Sequence, residues 1–214
     1  MAVEVIMEQK LKQYLDENII DMYQHFDMAH QKNHVYAVIE NSLAIAKDYD
    51  VNLDMVYVIA CYHDIGMKFG RNDHHLTGGQ FLFDDKFLEN WFDLDKRMIM
   101  KEAIEDHRAS RIVPPRSIYG KIIAEADRDI NPDIIFLRTV QFGLKHYPDL
   151  DENEHFERAY EHIKDKYGPN GYLKLWLKTE KNQSGLRRIH ELILEPEKMK
   201  SVIIEHYRNF CRNR

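Results

Sequence analysis

Apolar residues recur along this chain at intervals of three and four almost throughout, the spacing of amphipathic helices. Val5, Ile6, Leu11, Leu15, Ile19, Ile20, Met22, Tyr23 and Phe26 follow that spacing over residues 4–29. A second stripe runs from His34 through Val35, Val38, Ile39, Ser42, Ile45 and Ala46 to Tyr49. VNLD then interrupts the pattern, with Asn52 or Asp54 as N-cap of a third helix through MVYVIACY to Tyr62. Gly66 is placed to end that helix. RNDHHLTGG reads as a loop feeding a helix over 77–90, and a further helix covers about 95–107 before Pro114-Pro115 halts it. Ser117 caps the next helix, whose stripe of Ile118, Ile122, Ile123 and Ala126 leads to Asp127.

Beyond Pro132 the pattern predicts a helix over 133–146, a turn-rich break at HYPDLDENE, and one long or kinked helix over 153–179 around GPNG. The polar run KTEKNQSG reads as an exposed loop, and RRIHELILEPEKMKSVIIEHYRNF as two apolar-striped helices. No stretch alternates with period two between turn signals, so no strand is predicted. The expected fold class is all-α: a helical bundle over 1–145 and a helical C-terminal extension, 146–214, packed on the same domain.

Composition narrows the function classes. The 214 residues suit one large domain, or one domain with an elaboration, and can bury a good core. A net charge of −6 gives no global pull toward nucleic acid or anionic membranes. MAVEVIMEQK lacks the basic-then-apolar order of a secretory leader, and MVYVIACY falls far short of the roughly 20 residues of a membrane span. Cys61 and Cys211 make no disulfide framework or CxxC site, so a reducing, cytoplasmic setting is expected. Trp91-Phe92 and Trp176 read as core, and Cys61 as a buried small hydrophobe. No glycine-rich phosphate loop, nucleophile elbow or Rossmann fingerprint is present, and His190-Glu191 lacks the second His of a zinc-protease motif.

Histidine is the unusual component, with 12 residues. His34 opens the second helix, His63 and Asp64 end the third, and Asp127 ends the helix beginning near 117. Imidazole nitrogens and carboxylate oxygens are the donors a divalent transition ion prefers, and two His and two Asp on three helices can supply four of them. Successive helical residues diverge by about 100°, so His63 and Asp64 can grip one ion only near a helix end. A His-Asp dipeptide alone is weak evidence, since about one is expected by chance at this composition; order and context carry the reading.

In that order and context, His34, then His63-Asp64-Ile65-Gly66, then Asp127 in AEADRD resembles the H…HD…D pattern of the HD-domain metal-dependent phosphohydrolases. HHLTGG and IEDHRASRIVPP, with His75, Gly79 and His107, are similar to the family's intervening segments, and the likeness covers about residues 25–135. The resemblance implies an HD-domain helical bundle of the small, stand-alone kind. It implies one divalent ion (manganese, magnesium, iron, zinc or nickel) held by His34, His63, Asp64 and Asp127. Some members hold a second ion, for which His75 and His107 are the candidates here; His74 and His30 are read as flanking residues. The implied reaction is hydrolysis of a small phosphorylated substrate, with nucleotides as the expected class, by a metal-activated water that Asp64 orients or deprotonates. Among Lys68, Arg71, Arg108, Arg111, Arg116, Lys121 and Arg128, the first choices for phosphate binding are Lys68 and Arg128. Neither a membrane nor nucleic acid is expected as a partner, while a homo-oligomer is compatible with the sequence. Met67 after HDIG, and the lack of Gly-Tyr-Pro, set the chain apart from the cyclic-dinucleotide branch. Two other readings remain open at this point: a regulatory module that binds metal and nucleotide without turnover, and a di-iron oxygenase of the same fold.

Overall fold

Ten α-helices and no strand make up the described residues, 8–26 and 30–212, of the computed structural model. Val5 and Ile6 of the first predicted stripe lie outside them. The chain divides into two compact units, Met1–Arg128 and Asp129–Arg214.

In the first unit, α1 (Gln9–Tyr14) continues into a single π turn, Leu15–Ile19, and a 3-10 turn, Ile20–His25, burying Leu11, Leu15, Ile19, Ile20 and Tyr23. Helix α2 (Lys32–Ala46) buries the stripe Val35, Val38, Ile39 and Ala46. Helix α3 (Leu53–Tyr62) is buried at every position from Met55 to Tyr62, as a helix apolar on all sides must be, and packs against α2, α5 (Leu94–Asp106) and α6 (Ile118–Arg128). Of the two predicted N-caps, Asn52 is the one used: its side chain accepts the Met55 N–H at 3.0 Å. Asp93 caps α5 by accepting from Lys96 N–H at 2.9 Å, and Ser117 Oγ accepts from Gly120 N–H at 3.2 Å at the start of α6.

Helix α4 spans His74–Asp84, three residues earlier than expected, and a separate 3-10 turn, Lys86–Asn90, follows it. Its early start has a tertiary cause. A Cβ on Gly66 would overlap the His74 carbonyl oxygen and lie 2.6 Å from Gly78 N, so only glycine lets the first turns of α4 seat there. Gly66 therefore serves close approach inside the short 3-10 turn Ile65–Phe69, rather than ending α3.

The second unit has its own core, formed by residues such as Ile130, Phe136, Phe156, Ile163, Ile189, Met199 and Ile203. Its helices are α7 (Pro132–His146), α8 (Glu152–Tyr167), α9 (Glu180–Leu194) and α10 (Pro196–Arg212). The expected boundary lies near 145, whereas the two compact units divide at 128/129, with the apolar stripe of α7 packed on α8 and α10. Helix α8 opens with a capping box between Asp151 and Glu154, within the acidic stretch expected as loop. It ends at Tyr167, and the predicted continuation to 179 fails because Tyr172 and Leu173 fold back to bond the carbonyls of Asp165 and Lys166.

KTEKNQSG is a second correction, since most of it forms the start of α9. Asn182 is buried and accepts the Ile130 N–H at 2.9 Å, and Gly185 abuts the Ile130 carbonyl where a Cβ has no room. Asn182→Ala would leave that buried N–H unpaired and is expected to destabilise the protein by about 1–3 kcal/mol. Urea unfolding followed by circular dichroism checks this: an unchanged midpoint would mean the bond contributes nothing. Among the described residues no helix is long and apolar enough to cross a membrane.

Candidate metal centre

The end of α3 delivers two ionisable side chains into the first unit. His63 is fully buried and its Nδ1–H donates to the Ala60 carbonyl at 2.8 Å. His107, directly after α5, donates in the same way to Ile104 at 2.6 Å, and His74, the first residue of α4, to Arg71 at 2.7 Å. With Nδ1 carrying the proton, each ring turns Nε2 toward Asp64. His34, from the first turn of α2, brings its own Nε2 to 3.1 Å from His63 Nε2.

Asp64 divides the cluster. Its Oδ2 lies 3.3 Å from His63 Nε2 and 3.5 Å from His34 Nε2, while its Oδ1 lies 3.4 Å from His74 Nε2 and 3.5 Å from His107 Nε2. Asp127, the penultimate residue of α6, adds Oδ1 at 3.3 Å from His34 Nε2 and 4.0 Å from His63 Nε2. Two groups result, His34–His63–Asp127 and Asp64–His74–His107, each with donor atoms within 4.8 Å of one another and each able to hold a metal ion.

The donor set fits a cation. Three of the rings, His63, His74 and His107, donate Nδ1–H to a carbonyl, and their Nε2 atoms face Asp64 oxygens, an arrangement satisfied by a proton or a metal ion between them. The spacings of 3.1–3.5 Å exceed the ~2.7–2.9 Å of a good charge-assisted hydrogen bond. They suit donors sharing an ion at about 2.0–2.2 Å.

The electrostatics agree. Burial opposes ionisation of Asp64, yet the charge of His63 and hydrogen bonds from His107 and His34 hold its carboxyl well below the ordinary range. Asp127 is also held low, the hydrogen bond from His34 overcoming burial. For His34, burial disfavours the proton, but hydrogen bonds to Asp127 and Asp64 outweigh it and raise the pKa to about 9. Below that pH the metal-free protein keeps a proton where an ion would bind, so binding must expel it. Divalent-metal affinity is therefore expected to rise by up to about tenfold per pH unit as pH approaches 9 and to flatten above, as metal titrations at several pH values would show. The raised pKa also stabilises the metal-free fold fully below His34's ordinary value of 6.5, a contribution lost as pH rises through about 9.

Two of the sequence expectations are altered. His74, not His75, joins Asp64 and His107, because His74 begins α4 and successive residues point about 100° apart. His75 Nδ1 is buried without a protein partner, and burial, with His74 and Arg108 nearby, lowers the ring's pKa to about 4. The HH dipeptide was the signal, but its register could not be read locally. Lys68 is exposed, with its ammonium over the rings of Phe69 and Phe81.

Arg128 follows Asp127 and donates Nη1–H to the Ala124 carbonyl, leaving Nε and Nη2 buried without protein partners. Arg111 and Arg116 both pair with buried Asp106, at 3.1 and 2.9 Å, and so tether the loop after His107. Arg108 is the other cation on this side: it donates to the Asn72 carbonyl and acts electrostatically on His74 and His75.

Residues 32–131 match the family model described as HD domain. The fold is similar to the crystal structure of a predicted HD superfamily hydrolase from an uncultured Thermotogales bacterium. That likeness has a TM-score of 0.53 and 23% identity, over 77% of this chain and 94% of that one, and is a likeness of fold. No curated protein matches the chain significantly.

Proposed function

We propose, from the match of residues 32–131 to the HD domain family model, that this protein is a divalent-metal-dependent phosphohydrolase. Its substrate would be a small phosphorylated molecule, with a nucleotide as the expected class. The observation that carries the reading is the convergence of four imidazole Nε2 atoms on the two Asp64 oxygens at 3.3–3.5 Å.

His34, His63, Asp64 and Asp127 would hold one ion; Asp64, His74 and His107 would hold a second. A bound divalent ion supplies Lewis acidity toward the phosphoryl oxygens and lowers the pKa of its water. Asp64, kept ionised by the histidines around it, would orient the attacking water, and with one ion bound its free oxygen would accept that water's proton. The two unpartnered N–H groups of Arg128 suit phosphoryl oxygens, because a planar guanidinium can offer both at once. Arg108 adds positive charge on the side of His74.

The test is elemental analysis of the purified protein, removal of metal with a chelator, and reloading with manganese, magnesium, iron, zinc or nickel. Phosphomonoesters, nucleoside phosphates and cyclic nucleotides are then assayed for product. Hydrolysis that is lost on chelation and restored by one of these ions is expected. Tight metal and nucleotide binding without product in any loaded form would reject the hydrolase and leave a binding module.

A further inference from the structure

The stop at the end of α3 is made by side chains. In a continuing α-helix the Ala60 carbonyl would accept from Asp64 N–H and the Cys61 carbonyl from Ile65 N–H. Here the imidazole of His63 takes the Ala60 carbonyl, at 2.8 Å. The hydroxyl of Tyr23 takes the Cys61 carbonyl, at 2.9 Å, and also accepts the Asp64 N–H at 3.2 Å. Tyr23 is wholly buried, and its ring lies 5.0 Å from that of Phe26 and 6.4 Å from that of His63, centroid to centroid. It comes from the 3-10 turn after α1, 41 residues before Asp64.

We infer that Tyr23 is a positioning residue for the metal centre: its one hydroxyl replaces the helical partners of both Cys61 and Asp64, and so fixes the direction in which Asp64 presents its carboxylate. This rests on the metal reading above and adds a residue from outside the HD segment to it. Four Nε2 atoms converge on the two Asp64 oxygens, so a backbone free to rewind at residue 64 would disperse them all. Changes to groups that back a metal ligand typically cost about 10–100-fold in affinity.

The experiment uses the full chain with zinc as probe. Zinc affinity is measured by chelator competition, and exchange of the Asp64 amide by NMR. Tyr23→Phe keeps the ring and removes the hydroxyl. It is expected to weaken zinc binding by about 10–100-fold and to speed exchange of the Asp64 amide. Tyr62→Phe is the control, removing a second buried hydroxyl one residue before His63; that hydroxyl bonds the Asp85 carboxylate instead. It is expected to leave zinc affinity unchanged. Equal affinity in Tyr23→Phe and the unaltered chain, or equal losses in both variants, would overturn the inference and leave the metal reading standing. No zinc binding by the unaltered chain would overturn both. Should Tyr23→Phe not fold, the unaltered chain still decides: zinc must slow exchange of the Asp64 amide if the two are coupled, and no slowing overturns the inference.

Discussion

Asp64→Ala is expected to lower metal-dependent hydrolysis by more than about 100-fold and to strip most bound metal from the protein. The lower bound follows from the ~10–100-fold cost of disturbing groups that merely back a ligand; Asp64 is proposed as a ligand itself. Its Oδ2 faces His63 and His34, and its Oδ1 faces His74 and His107. Truncation therefore removes a donor from both groups at once, together with the acceptor proposed for the water's proton. Asp127→Ala is the informative comparison, because Asp127 approaches only His34 and His63 and leaves Asp64–His74–His107 intact. Metal content by elemental analysis and kcat/KM on the best substrate separate the two variants. Hydrolysis that survives Asp64→Ala would refute the role given to this residue.

The His/Asp cluster was largely legible because its residues sit at helix ends that announce themselves. Asn52 and Ser117 cap where expected, and the apolar run before His63 forms the buried helix read from it, so the positions of Asp64 and Asp127 relative to those helices follow from short-range rules. What stayed hidden was set by contacts between distant segments. Whether His74 or His75 faces Asp64 depends on where α4 begins, and that depends on a backbone contact with Gly66. KTEKNQSG is polar, yet Asn182 and Gly185 are drawn inward by the backbone of Ile130, 52 positions before Asn182. The stripe on α7 says that one face is buried without saying against what, so the sequence does not tell at which end of that helix the compact units divide. Tyr23 carried no local signal at all, since a tyrosine in an apolar stripe reads as packing.

Gly66→Ala is expected to be the most damaging single-methyl change in the first unit. The added Cβ would overlap the His74 carbonyl oxygen and stand 2.6 Å from Gly78 N and 2.6 Å from Thr77 Oγ1. Two of these three neighbours are backbone atoms of α4, so no rotamer change relieves them, and the helix must move away as a body. Overpacking of this kind costs about 3 kcal/mol or more when backbone has to shift, which for a chain of this size corresponds to roughly 6–12 °C in Tm. Gly78→Ala is the smaller perturbation, since its Cβ would meet its nearest neighbour at 3.2 Å. The displacement also has a chemical consequence, because α4 carries His74 in its first turn. Gly66→Ala should therefore weaken metal binding even at temperatures where the variant is fully folded, as His74 Nε2 is drawn away from Asp64 Oδ1, now 3.4 Å distant. Thermal melts and metal titration at low temperature would show the two losses separately. A melting temperature and metal affinity equal to those of the unaltered chain would mean that the contact between Gly66 and α4 does not set the register of the HH dipeptide.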